Sequence, residues 1–387
     1  VSARSRDGGP RRFDLMANPL RVLMTADAAG GVWTYALDLA SGLRERGVTT
    51  ILAALGPPVS DAQRAAAEAV AGVRLIETGL PLDWTAESRT QIVDAGRAIA
   101  ALAAELGCDL VHLNSPALAA EARFPCPVIA VCHSCVATWW AAVRGGRLPD
   151  DFAWRTDLVR AGYKAADMLL APTAAFARTT AEAYSLSKLP RAIHNGRAAR
   201  PAPAAADRAT EPFILTAGRL WDEGKNVATL DRVAAHLPSP VLAAGPTAGP
   251  NGAAIAIRHA KALGHVPTAA LDALFAARPV FVSPALYEPF GLAVLEAAQA
   301  ACPLVLSDIT TFRELWDGAA LFVAPRAEDS ALGVLERLLA DPEERNRLGR
   351  AAQERAARYT VTAMVDRVEK AYRDVLARKR TKLMTAA

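Results

Sequence analysis

Residues 283–301 read SPALYEPFGLAVLEAAQAA and follow an apolar run, so a short turn of Pro289, Phe290 and Gly291 joins a buried strand to an Ala- and Leu-rich helix. Glu288 and Glu296 flank this turn, eight positions apart. Gly291 lets the backbone approach a ligand closely, and the free N–H groups at the start of the next helix form a seat for a phosphate or sugar oxygen. Two carboxylates around such a helix start accept hydrogen bonds from hydroxyls, which a polyol supplies in quantity. Packing alone does not account for Glu-Pro-Phe-Gly-Leu behind a buried strand.

Outward from this segment, short apolar runs alternate with Ala-rich helical stretches, the signature of βαβ units. In the first half the strands are expected at residues 21–25, 49–53, 73–76, 110–113, 128–132, 168–171 and 192–194. A second series is expected at 213–216, 241–244, 264–266, 280–283, 304–306 and 320–323. The runs are apolar throughout rather than alternating, as in parallel strands covered on both faces. Between the two series lies RAARPAPAAADRATEP (197–212), too rich in Pro and Ala to carry an apolar period, which reads as a linker. The expected organisation is a basic arm at 1–19 without order, a Rossmann-like doubly wound domain at 20–197, a linker at 198–211, a second Rossmann-like doubly wound domain at 212–360, and a terminal segment at 361–387. In that last segment Val361, Met364, Val365, Val368, Tyr372 and Val375 recur at helical spacing, so one face must dock on something. Its basic end, RKRTK (378–382), reads as a solvated tail or as a weak contact with a membrane surface.

The chain has 387 residues, 52% of them hydrophobic, which suits two domains with separate cores. Its formal charge of +4 fits anionic small ligands, and the absence of a dense basic stripe with interleaved aromatics argues against nucleic acid. The Arg-rich start lacks the apolar centre of a secretory signal, and no apolar run reaches a bilayer's width. The expected location is the cytoplasm, with a peripheral contact at the inner membrane face left open. Val1 reads as a non-AUG start, with Met16 as the alternative. Five cysteines, Cys108, Cys126, Cys132, Cys135 and Cys302, form no disulfide framework. Cys132 and Cys135 make a C-x-x-C pair with no second pair to complete a zinc site, so they read as buried small residues.

Three further segments sit behind strands. TAGRLWDEGKN (216–226) presents Arg219 and Lys225 from a βα loop, where strand ends of an α/β sheet bind ligands, and two cations there match a diphosphate. TADAAGGVWTYALDLASGL (25–43) is a strand, a Gly30–Gly31 turn and a helix whose amides can cradle an anion. It lacks the Gly-x-Gly-x-x-Gly spacing of a dinucleotide site. PVIAVCHSCVATWWAAVRGGR (127–147) puts His133 at a strand end, followed by Trp139 and Trp140, which read either as a sugar-stacking wall or as core. No Asp-x-Asp element marks a divalent cation, and none is expected; fixed cations and a helix start can take up leaving-group charge by themselves.

These residues together resemble glycosyltransferase family 4, retaining transferases of the GT-B fold, whose E-x7-E signature matches Glu288 to Glu296 with the intervening Phe-Gly-Leu. The resemblance implies two Rossmann-like doubly wound α/β domains, an active site in the cleft between them, and a C-terminal helix crossing back to the first domain. It implies that Glu288 faces the hydroxyls of the donor sugar, that amides near Phe290, Gly291 and Leu292 approach sugar and phosphate, and that Glu296 holds the ribose. Arg219 and Lys225 would grip the diphosphate, with Asn226 standing where the family commonly has Gly. Gly30 and Gly31 would close over the diphosphate, His133 would lie against the donor sugar, and the Gly264–His265–Val266 backbone would meet the base. His194–Asn195–Gly196 matches the family's Asn-Gly before the interdomain crossing, whereas Arg197 and Ala198 depart from it. The implied donor is a nucleotide sugar of the UDP-glucose or GDP-mannose type, and the acceptor is a glycan, lipid or small molecule. A GT-B epimerase or phosphorylase and a non-catalytic nucleotide-sugar binder are the alternatives.

Overall fold

The computed structural model describes residues 19–198 and 211–386, with side chains to residue 381. Most of the expected N-terminal arm and of the linker therefore lies outside the described residues. The chain forms two wholly parallel sheets. In the first, β1 (Leu20–Asp27), β2 (Val48–Leu55), β3 (Val73–Glu77), β4 (Leu110–Leu113), β5 (Val128–Val131), β6 (Met168–Ala171) and β7 (Arg191–Ala192) lie in the order β3-β2-β1-β4-β5-β6-β7. In the second, β8 (Ile214–Ala217), β9 (Val241–Ala244), β10 (Lys261–Gly264), β11 (Val280–Ser283), β12 (Leu304–Ser307) and β13 (Leu321–Val323) lie in the order β10-β9-β8-β11-β12-β13.

Central strands are apolar on both faces because helices cover both: Val22, Leu23 and Met24 are consecutive in β1 and none is exposed. Leu23 and Val22 join different apolar clusters on opposite sides of the sheet. The second sheet is sandwiched in the same way, with Leu215 on one side and Ile214 on the other. In both sheets the order reverses beside the first strand of the half, between β1 and β4 and between β8 and β11. Crevices open at such switch points, beyond the carboxyl ends of the strands.

Two expected strands shift. The run at 192–194 forms β7 only at Arg191–Ala192, an edge strand of two residues. The run at 264–266 is displaced to Lys261–Gly264, and Val266 falls beyond the strand. β10 is an edge strand with Lys261 and Ala262 exposed, so the apolar run that marks a covered strand is missing from it, and Gly264, at φ +66°, turns the chain out of the sheet.

The last helix, Val361–Ala386, leaves the second half and lays Met364, Val365, Val368, Tyr372 and Val375 into the core beneath β1 and β2. It crosses the helix Gly31–Arg44 closely enough that a Cβ on Gly42 would stand 2.5 Å from Val365 Cγ2. The basic run 378–382 continues the helix with Arg378, Arg380 and Thr381 exposed, and Lys379 Nζ reaches the Pro125 carbonyl at 3.2 Å. Among the described residues, no helix is long and apolar enough to cross a membrane.

Candidate active site

The carboxyl ends of β1, β4 and β5 in the first sheet and of β8 and β11 in the second face one cleft. From β1 the chain runs through Asp27 into the Gly30–Gly31 turn. Gly30 precedes the helix Gly31–Arg44 and gives it no side-chain cap, which leaves the first-turn amides to other partners. From the opposite half, Arg219 lies so close that a Cβ on Gly30 would be 3.3 Å from its Nη1, and one on Gly31 would touch Leu292 Cδ1 at 3.4 Å. The glycine turn and the two motifs of the second half are thus brought together.

Arg219 is held by Asp222, Nη2 to Oδ2 at 3.1 Å, and its guanidinium lies 5.6 Å from the Trp221 ring centre. Lys225 ends a 3-10 turn at Glu223–Lys225 and donates from Nζ to Glu288 Oε2 at 2.5 Å. A hollow between them is lined by Gly218, Arg219, Lys225, Ser283 and Glu288. Gly291 stands at φ +90°, the left-handed region that glycine tolerates, and starts the helix Leu292–Gln299 without a side-chain cap. The Phe290 side chain is buried against Tyr359.

Glu296 is nearly buried and pairs with Arg197, Oε1 to Nη2 at 2.8 Å, while Arg197 Nη1 binds Asp38 Oδ2 at 2.5 Å. Two carboxylates from facing helices therefore share one guanidinium at the interdomain crossing. Burial pushes the Asp38 carboxyl above its usual range, against the pull of Arg197.

His133 follows β5. Its Nε2 lies 2.7 Å from Asn114 Oδ1, and its ring packs edge-on against Tyr35 at 4.6 Å. Its loop reaches the other half through Tyr287, whose hydroxyl accepts from the Cys135 N–H at 3.3 Å and lies 2.8 Å from Thr138 Oγ1. Tyr287 is the neighbour of Glu288, so the His133 loop and the Glu288 loop are joined. Desolvation, with a smaller contribution from His112, pushes the His133 ring down to about 3, which keeps it neutral at physiological pH. Val266 is not part of this group: it lies beyond β10, two strands from β8 or about 10 Å along the sheet, and packs into the apolar cluster there.

Trp139 and Trp140 are both half-buried and take different partners. Trp139 crosses the cleft and donates from Nε1 to Asp222 Oδ1 at 2.9 Å, whereas Trp140 packs on Phe152 at 5.9 Å. Cys135 caps its helix by accepting from the Thr138 N–H at 3.5 Å, and all five cysteines are free. Among the described residues no three His, Cys, Asp or Glu side chains are grouped so as to hold a metal ion.

Sequence reasoning passed over several residues of the site. Asp27, at the end of β1, binds the Ala29 N–H at 2.6 Å and Trp84 Nε1 at 3.2 Å, and desolvation raises its carboxyl even with Arg219 nearby. Trp84 stacks on Trp221 across the cleft at 6.4 Å. Asn114 follows β4. Asp27 and Asn114 both stand at strand ends beside the switch point, the one sequence signal that could have found them.

Solved structures share this fold. The sucrose-phosphate synthase of Thermosynechococcus elongatus superposes with a TM-score of 0.77 at 19% identity, over 92% of this chain and 99% of that one. The Anabaena HepE structure in complex with UDP and glucose superposes with a TM-score of 0.71 at 17% identity, over 91% and 99%. The O-antigen chain mannosyltransferase B of Escherichia coli is 41% identical over 68 residues, 18% of this chain and 18% of that protein, so the curated relative is matched over less than a fifth of its length. Two Rossmann-like domains facing a cleft, with the last helix returned to the first domain, make this a GT-B protein. Residues 29–198 match the family described as Glycosyltransferase Family 4 and residues 253–355 match Glycosyl transferases group 1; the chain belongs to the glycosyltransferases of the family 4 type.

Proposed function

We propose that this protein is a retaining hexosyltransferase that moves a sugar from a nucleoside diphosphate onto an acceptor bound by the first domain. The observation that carries the reading is the approach of Arg219 to the Gly30 turn, beside Lys225, Glu288 and the uncapped helix start at Gly291. Cleavage of the bond between sugar and phosphate builds negative charge on the leaving diphosphate. Two fixed cations and two helix starts stabilise that charge without reorganising, so the site supplies electrostatically what a divalent cation supplies elsewhere. Lys225 has three N–H donors and spends one on Glu288, which leaves the others for phosphate oxygens. Glu288, held in place by that bond, keeps acceptor capacity for sugar hydroxyls.

Glu296 is the group for the ribose, and the Gly264–His265–Val266 backbone remains the proposed contact for the base. The paired carboxylates are not assigned to a covalent intermediate. Instead the departing phosphate oxygen takes the acceptor's proton, because the neutral His133 is a poor base at physiological pH. Family 4 membership and the UDP and glucose in the HepE complex support a UDP-glucose donor; the mannosyltransferase relative supports GDP-mannose.

A thermal-shift panel of UDP, GDP and ADP sugars tests the donor, since a selective ligand raises the melting point by mass action. Release of free nucleotide only when an acceptor is added supports transfer. Binding with no donor ever consumed would establish a non-catalytic binder, and conversion without acceptor an epimerase.

A further inference from the structure

Behind the His133 ring lies a buried polar cluster whose hydrogen-bond directions can be read. Asn114 is 9% exposed. Its backbone N–H donates to Thr25 Oγ1 at 2.9 Å, and its side-chain Nδ2 donates to the Thr25 carbonyl at 2.6 Å. A backbone carbonyl has no hydrogen to give, so the amide face turned to Thr25 must be the NH2 face. The other face, Oδ1, is then the one 2.7 Å from His133 Nε2. An amide oxygen only accepts, and a short N···O pair needs a hydrogen between its atoms, so Nε2 carries it.

The cluster continues downward. His112, fully buried, lies under the site with Nδ1 2.8 Å from Tyr372 Oη, a hydroxyl delivered by the returning C-terminal helix. Tyr35 packs against both rings. Among the described residues no carboxylate or cationic side chain is hydrogen-bonded to His133.

We propose that Asn114 is a positioning residue that locks His133 in the Nε2–H tautomer and leaves Nδ1, an acceptor, as the ring's remaining hydrogen-bonding atom. Any hydrogen bond from this ring to a substrate then receives a hydroxyl hydrogen and gives none. On the transferase reading above, which this inference deepens, the ring selects a donor sugar that presents a hydroxyl as donor at that point. The anchor is the main chain at Thr25, in β1, so the strand that leads to the glycine turn also sets the state of the imidazole.

The test is a long-range proton–nitrogen correlation spectrum of the full chain labelled at its six histidines, with the His133 signals identified by their loss in a folded His133→Gln variant. At neutral pH the parent should show a protonated Nε2 and a bare Nδ1 at His133. In Asn114→Leu the two ring nitrogens should move towards tautomer-averaged shifts, and kcat should fall about 10- to 100-fold with a smaller change in donor KM, by analogy with removing the residue that orients a metal-bound histidine. A protonated Nδ1 in the parent overturns the proposal, and so does an Asn114→Leu spectrum identical to the parent's. The parent spectrum decides the matter even if the variant does not fold. It also requires no donor, so a protein that consumes no nucleotide sugar would refute the transferase reading and leave the tautomer assignment intact.

Discussion

Arg219 Nη1 approaches within 3.3 Å of the point where a Cβ on Gly30 would stand, so the cation of one half and the glycine turn of the other share a wall of the cleft. Gly30 is extended, at φ −157°, and an alanine there is free of backbone strain. Its methyl group would instead push the guanidinium away by a few tenths of an ångström. Gly30→Ala should lower kcat by about tenfold, since a 1 Å displacement costs about 10²-fold, while the melting temperature stays level. Steady-state kinetics beside a melting curve check both halves of this statement.

Removing a fixed cation should act on the leaving group. Arg219→Ala and Lys225→Ala should each lower turnover by about 10²-fold, comparable to losing one preorganised donor from an anion site. Lys225→Ala also releases Glu288 from its 2.5 Å partner and should raise donor KM as well. Near-normal turnover in both variants would remove the diphosphate from this end of the cleft.

The guanidinium of Arg197 pairs with both Asp38 and Glu296, and all three side chains are less than 20% exposed. Arg197→Leu leaves two buried carboxylates facing each other and should destabilise the protein by about 3–5 kcal/mol at neutral pH. Burial already raises the Asp38 carboxyl in the parent. A carboxyl raised in the folded state makes that state the better proton binder, so stability is recovered as pH falls through the raised value. The deficit of the variant should therefore shrink as pH falls from neutral, as a series of denaturant titrations would reveal.

Acid should strain the first domain through His112. Burial pushes this ring down to about 3, whereas in the unfolded chain it titrates near 6.5. The unfolded state then binds the extra proton first, so stability is complete above about pH 6.5 and declines below it. At pH 5 the loss from this group alone should be about 2 kcal/mol. A melting series from pH 8 to pH 5 in the parent and in His112→Asn should show the smaller slope in the variant.

Much of this architecture was legible because it rests on local chemistry. Runs such as Leu110–Leu113 and Met168–Ala171 are covered on both faces, and their positions follow directly from composition. The edge strand Lys261–Gly264 was expected too late in the chain, at 264–266, because half its surface faces water and its apolar run is missing. Within the site, the residues adjoining strands and glycine turns were legible: Arg219, Lys225, Glu288, Gly30 and His133. Asn114, Asp27 and Trp84 were not, since each is a single polar or aromatic side chain that gains meaning only from a partner far along the chain. The pairing of Glu296 with Arg197 is of the same kind: it spans the crossing between domains, where sequence spacing carries no information about distance.

The placement of Val361–Ala386 bears on how the protein is made. The apolar surface beneath β1 and β2 is closed by side chains that leave the ribosome after the whole second domain. During synthesis that surface must wait, exposed and prone to association, while about 300 further residues are added. The domain translated first is thus the one completed last, and a nascent chain halted before Tyr372 would lack the hydroxyl that meets His112.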